Sequence, residues 1–405
     1  NLPTNLFIDI HKIAQEIGID TIAIVGGVVR DELIRSFSEN DRINSKDVDL
    51  VVEGSATELA LALKKKLGKD KVIEICIHSA YNTVEMKIDG FPVDLASARK
   101  EKYPIPGNNP EVRPCSLNED LLRRDFTINA MAINLSNMQL LDPYGGKAAL
   151  LRKEIQFLHS KSVEEDPTRI IRAARYSARF LFDLAPQDLQ QVQSTLADWP
   201  WAWKQNDSSD FVPPALGTRL RMELEKLLSQ EPWERAFSFL QSWGGLVLLD
   251  TYLQEDKFLK RRIKWSSKLG IEPLTALIIG SKDSSALAKR LQLSKQQQSL
   301  INQSKAIERF LLESMLTNEY IYWKPSQWTS LIEGESWHPD AVALSICNTN
   351  PMWRKLLKWW NRWRFIKSPI SAKELIRKGW EPGPKLGSQL QKLRREKLDN
   401  DKILY

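Results

Sequence analysis

Strand-forming sequence in this chain stops near residue 146, and that is the tightest constraint on its fold. Before that point β-rich runs alternate with helical ones. Thr21 to Val25 is apolar and β-branched, Lys46 to Val52 reads the same way, and Lys71 to Ile77, Tyr81 to Ile88 and Phe91 to Ala96 follow. Asp89-Gly90 between the last two runs is a tight hairpin signal. A hairpin requires antiparallel pairing, so the sheet is mixed or antiparallel rather than doubly wound. Pro104, Pro106, Gly107, Pro110 and Pro114 fall in one stretch and predict a loop. Beyond Asp142-Pro143-Tyr144-Gly145-Gly146 the pattern is helical, broken at Pro213-Pro214, Gly244-Gly245 and Pro382-Gly383-Pro384. The predicted class is therefore α+β, and 405 residues suffice for several domains.

Charge is distributed unevenly. The net charge is +7, but Pro351 to Tyr405 holds 15 Lys and Arg against 5 Asp and Glu, so that segment carries +10 and the remainder −3. A basic end on a near-neutral body suits a polyanionic partner. Within it, Trp353-Arg354-Lys355 and Trp359-Trp360-Asn361-Arg362-Trp363-Arg364 interleave aromatics with cations. That pattern suits RNA stacking, and Trp359, Trp360 and Trp363 at helical spacing equally suit a core. Cys76, Cys115 and Cys347 are odd in number and far apart, which fits a reducing cytoplasm and gives no zinc spacing. His11, His78, His159 and His338 form no pair at ligand spacing. No apolar run is long enough for a membrane span, and no signal peptide is expected.

Four motifs carry chemistry. Gly26-Gly27 lies between a buried strand and a helical pattern from Val28 to Ile34, where the backbone can approach an anion and amides head a helix. Asp47 and Asp49 project from one strand face, as a divalent cation would require, and Asp94 on another strand is a candidate third acid. Three such carboxylates can hold two metal ions over a triphosphate. Arg123-Arg124-Asp125-Phe126-Thr127-Ile128-Asn129 offers guanidiniums for phosphate, with Asp or Asn for a ribose hydroxyl. Asp166 is a good N-cap with Pro167 at the first helical position, and Arg169, Arg172, Arg175 and Arg179 then line one helix face. Asp166 can accept from an exocyclic amine and Arg169 can donate to a ring nitrogen. Cytosine and adenine fit that pair, whereas uracil and guanine present the reverse pattern. A charged helix over 218–228 follows, whose Glu223 and Glu225 are expected to brace those arginines.

In this order the motifs resemble the class II tRNA nucleotidyltransferase (CCA-adding enzyme) and bacterial poly(A) polymerase family, of the polymerase β superfamily. The matching set is Gly26-Gly27 with Arg30-Asp31, Asp47-x-Asp49, Asp94 with Ala98-Arg99, and Arg123-Arg124-Asp125 with its continuation. Asp142-Pro143-x-Gly145-Gly146, Glu165-Asp166-x-x-Arg169 and Arg221-x-Glu223-Leu224 complete it. The resemblance implies a polymerase β-like head over 1–150 with a mixed sheet, then a helical neck (151–235), body (236–330) and tail (331–405). It implies a Mg²⁺ site of two metals on Asp47 and Asp49, with Asp94 as the third catalytic acid. Gly26, Gly27 and Arg30 would hold the triphosphate and Arg124 and Asp125 the ribose side, with Asp31 and Asn129 also in the nucleotide site. Asp166 and Arg169 would read the base, with Arg172 and Arg175 on the same face. Implied partners are CTP, ATP and the tRNA 3′ end and elbow, the last docked by the turn Gly379 to Gly387. Addition of CCA, of A alone, of CC alone and of poly(A) all occur on this scaffold, as would a noncatalytic RNA-binding role. A split specificity implies a separate partner enzyme. The long stretch Arg99 to Asn118 leans away from CC addition alone.

Overall fold

The computed structural model describes residues 4–37, 48–204, 207–314, 319–348 and 351–400. They form two compact units, residues 1–248 and 249–405. The first contains the sheet. Its strands are β1 (Ile22–Val25), β2 (Val48–Val52), β3 (Val72–His78), β4 (Thr83–Ile88) and β5 (Phe91–Ser97), then β6 (Arg99–Lys102), β7 (Glu111–Pro114), β8 (Ala132–Asn134) and β9 (Leu140–Leu141). Seven of them run in the order β3-β4-β5-β2-β1-β8-β9. Within this sheet β2 and β5 pair in parallel and the other neighbours are antiparallel, so the sheet is mixed, while a short separate parallel pair joins Glu154–Ile155 to Asp183–Leu184 among the later helices. Asp89 and Gly90 both take positive φ, +49° and +82°, as a two-residue hairpin turn needs.

The stretch expected to be a loop is ordered at both ends. Strands β6 and β7 pair antiparallel from Arg99↔Pro114 to Lys102↔Glu111, which leaves only 103–110 as loop. Arg99-Lys100-Glu101-Lys102 has no apolar alternation to announce a strand, and its prolines sit in the loop or at the hairpin's end, where no ladder N–H is needed.

Helices of this unit are α1 (Thr4–Glu16), α2 (Gly27–Phe37), α3 (Ala56–Leu67), α4 (Leu117–Leu122) and α5 (Gly146–Arg152). They continue with α6 (Ser162–Glu165), α7 (Thr168–Phe180), α8 (Pro186–Asp198), α9 (Thr218–Gln230) and α10 (Trp233–Trp243). Helix α3, capped by Ser55, buries Leu59, Ala60 and Leu63 against β3, β4 and β5. A capping box of Ser116 and Glu119 starts α4. Leu117 and Leu121 of α4 pack with Val25, Val51, Ala98 and Ala130, and this core seats the following Arg123-Arg124-Asp125 beside β1 and β2. The boundary expected at 150/151 falls inside α5, and that at 235/236 inside α10, whose buried face packs on α7.

The second unit is helical, with no strand among its described residues. Its central helix, Pro339–Cys347, is buried from Ala341 onward. Trp359 and Trp363 belong to its core, while Trp360 is half-buried with Arg364 stacked 4.9 Å from its ring. No helix among the described residues is long and apolar enough to cross a membrane.

Candidate active site

A cleft of about 630 Å³ in the first unit has a sheet side and a helix side. On the sheet side, β1 ends at Gly26, whose φ of +74° turns the chain into α2. The first bond of that helix is Arg30 N–H to Gly26 O at 3.2 Å, so the amides of Gly27 to Val29 head it. A Cβ on Gly26 would lie 3.2 Å from Asp49 Oδ2 and 3.4 Å from Arg124 Nη1. Asp49 is the register partner of Val25 on one side and of Asp94 on the other. Cα partners on parallel strands project to one face, so the two carboxylates stand abreast. Asp49 and Arg124 also line an adjoining hollow of about 290 Å³, together with Asp94, Thr83 and Glu85. Its donors are oxygens, which suits a hard divalent cation, and no His or Cys lines it. Asp47 lies outside the described residues, and among those described no three acids, His or Cys gather at a metal-holding spacing.

The helix side is an ion-pair ladder. Asp125, at the foot of the cleft, accepts from Phe126 N–H (2.8 Å), Asn129 Nδ2 (2.9 Å) and Arg172 Nε (2.8 Å), and pairs with Arg172 Nη2. Arg172 Nη1 reaches Glu223 at 3.2 Å, and Glu223 also binds Arg175. Arg175 continues to Glu231 at 3.2 Å, which holds Arg179 as well. Burial pushes the Asp125 carboxyl up, but the Arg172 guanidinium and the Asn129 hydrogen bond outweigh it and hold it below the usual range. Glu223 is lowered in the same way, against burial, by Arg172 and Arg175. Buried Asp120 anchors both Arg123 (2.8 Å) and Arg124 (3.1 Å). Three of the arginines on this face of α7, Arg172, Arg175 and Arg179, are thus turned to acids.

Most expected site residues meet here. Gly26, Gly27, Arg30, Asp49, Arg124, Asp125, Asn129, Asp166, Arg169 and Arg172 all line the cleft, Asp94 lines the adjoining hollow, and Asp31 and Arg175 line neither. Arg30 is buried: it bonds Asp31 (2.8 Å) and Asn129 (2.6 Å) and stacks on Phe180 and Tyr176. Asp166 precedes α7 by two residues and accepts from Thr168 N–H (3.0 Å) and Oγ1 (2.6 Å), but the N-cap position falls on Pro167 rather than on Asp166, one residue later than the sequence suggested. Arg169 donates to the carbonyls of Ser162 (3.4 Å) and Arg123 (3.1 Å). Glu223 braces the arginines of α7 as expected, but Glu225 pairs with Arg221 of its own helix. Sequence reasoning missed Arg219, Tyr103 and Asp120. Arg219 lies one turn before Glu223 on the same face of α9, and that spacing was the available signal.

Residues 22–156 match the family model described as the poly A polymerase head domain. The chain is 33% identical over 306 residues to the CC-adding tRNA nucleotidyltransferase of Deinococcus radiodurans, a match covering 72% of each. It is 45% identical over 166 residues to the A-adding tRNA nucleotidyltransferase of Aquifex aeolicus, covering 40% of this chain but 19% of that one. Among solved structures, a CCA-adding enzyme in an apo form superposes with a TM-score of 0.73 at 27% identity, over 99% of this chain and 93% of that one. The Thermotoga maritima CCA-adding enzyme complexed with tRNA gives 0.69 at 26% identity, over 99% and 92%. These structures share the architecture of a mixed-sheet head followed by helices.

Proposed function

Because the chain belongs to the tRNA nucleotidyltransferase family, we propose that it extends tRNA 3′ ends without a template, with C and A or with A alone, from CTP and ATP. The observation that carries this reading is Asp49 abreast of Asp94, with Gly26 and Arg124 against Asp49 and with Asp166 and Arg169 in the same cleft. In the reaction the RNA 3′ oxygen attacks the α-phosphorus, its proton departs, and the bond to the pyrophosphate leaving group breaks. Asp49 and Asp94, with Asp47, would hold Mg²⁺. Such an ion, when bound, lowers the pKa of the attacking hydroxyl and neutralises charge on the phosphates. The amides heading α2 and the Arg124 guanidinium would hold phosphate oxygens. Arg172 and Asn129 orient Asp125 at the ribose side, and Arg30 supports Asn129 from behind. Asp166 would accept the exocyclic amine of cytosine or adenine while Arg169 donates to the ring nitrogen.

The basic second unit, with its turn from Gly379 to Gly387, would meet the tRNA elbow, and a cytoplasmic location accompanies the reading. The finer division into head, neck, body and tail belongs to the same proposal. A second reading, CC addition alone, is favoured by the Deinococcus relative, and against it stands the long 99–118 segment. Purified protein with Mg²⁺, CTP and ATP, separately and together, on tRNAs lacking CCA, CA or A separates these outcomes. Single additions that stop at the terminal A support the proposal. Long A tracts would assign poly(A) synthesis, and no incorporation would leave an RNA-binding role.

A further inference from the structure

One guanidinium in the cleft grips two separate segments. Arg219 Nη1 donates to Asp166 Oδ2 at 3.1 Å, and its Nη2 donates to the carbonyls of Gly107 (2.9 Å) and Asn108 (3.0 Å). The other Asp166 oxygen, Oδ1, is fixed by Thr168. Both oxygens of this carboxylate are therefore clamped, one from its own helix start and one from α9. Nε of Arg219 is buried without a hydrogen-bond partner, so this orientation sacrifices one donor to make three bonds. The loop is seated at the same point by other contacts. Gly107 N–H donates to Glu165 O at 3.0 Å, and Ala215 N–H donates to Gly107 O at 3.1 Å. Gly107 has φ +78°, and a Cβ there would lie 2.9 Å from Cδ1 of Trp201.

We propose that Arg219 is a positioning residue for nucleotide choice, coupling the seating of loop 103–110 to the orientation of the Asp166 carboxylate. The inference rests on Asp166 reading the base. A carboxylate free to turn about its terminal torsion accepts from many directions. Clamped at both oxygens, it keeps its remaining lone pairs aimed one way. An amine of cytosine or adenine then meets an acceptor, and a carbonyl of uracil or guanine meets a negative oxygen it cannot bond. Tyr103 and Asn109 of the loop line the cleft with Asp166, so the loop that Arg219 holds is also a wall of the nucleotide site.

The test uses the full chain and a tRNA lacking its 3′ end, with kcat and KM measured separately for CTP, ATP, UTP and GTP. Arg219→Gln is expected to lower the preference for ATP and CTP over GTP and UTP by about tenfold or more, the scale of one charge-assisted hydrogen bond. Arg219→Lys keeps the charge but lacks the fork, and leaves the preference low. In an Asp166→Asn background, Arg219→Gln should change the preference by less than about twofold, because both act through one carboxylate. Gly107→Ala, strained at its φ and pressed on Trp201, unseats the loop from its other side and should give a smaller loss of the same preference. Hydrogen exchange adds a readout independent of turnover: the Gly107 amide exchanges faster in Arg219→Gln while β1, β2 and β5 keep their protection. A preference that survives Arg219→Gln, or an equal loss for all four nucleotides, overturns the coupling. A wild-type protein that incorporates nothing, or all four alike, sinks the functional reading instead.

Discussion

On the sheet side of the cleft, Asp49 and Asp94 stand where backbone register puts them. On the helix side, Asp125, Glu223 and Glu231 are held by guanidiniums 47 to 56 residues away in the chain. The sheet therefore sets its acids by the register of hydrogen-bonded strands, abreast on one face. The helices spend their acids on arginines, and so fix cations and a shape. The difference predicts that substitutions on the sheet side cost turnover, while those on the helix side cost stability first.

The largest effect should come from Asp49→Ala, with turnover falling by ~10³-fold or more in single-turnover assays while tRNA binding by gel shift is retained. Comparable turnover in the variant would break the comparison, because Asp49 would then be no metal-side acid. Next, Glu223→Ala breaks the ladder at its middle, leaving Arg172 with Asp125 alone and Arg175 with Glu231 alone, and should cost about 3 kcal/mol in denaturant unfolding of the first unit. A loss below about 1 kcal/mol would mean that the ladder is decorative. Gly26→Ala should reduce kcat/KM for the nucleotide by about tenfold, since its Cβ meets Asp49 and Arg124, and its φ of +74° should cost about 1 kcal/mol of stability besides. The smallest effect is in pH. Asp125 and Glu223 ionise below their ordinary values of 3.8 and 4.5 in the folded protein. Their contribution is complete above the unfolded-state values and is lost as pH falls from about 4.5 through the folded ones. Glu223→Gln should flatten that acid limb in melting curves taken from pH 6 to pH 3. An unaltered limb would assign acid lability elsewhere.

The same contrast explains what could be read in the sequence. Strands β1 to β5 and the Asp89-Gly90 turn announce themselves by alternation, β-branching and turn chemistry, all of which are local. Asp49 and Asp94 follow from that pattern, though their pairing across parallel strands required the sheet order. The arginine stripe of α7 was visible at helical spacing, but not its partners, because ion pairs across about 50 residues leave no periodic trace. For that reason the sequence offered Asp125 as a ribose-side acid without showing the four hydrogen bonds that hold it in the fold. Arg219 escaped for a related reason: two of its three acceptors are backbone carbonyls, which any residue supplies. Strands β6 and β7 were hidden because charged residues with prolines at the ends pair through the backbone alone.

The parallel match of β2 to β5 also divides the chain into places where its length can change and places where it cannot. One residue added within either strand would turn Asp49 or Asp94 to the opposite face and separate the pair. The same residue added near Gly68, between α3 and β3, shifts neither. Insertions and deletions in related chains should therefore collect in the links around α3 and the β3–β4 connection. The spans from Val48 to Val52 and from Phe91 to Ser97 should keep their length even where every other side chain in them has changed.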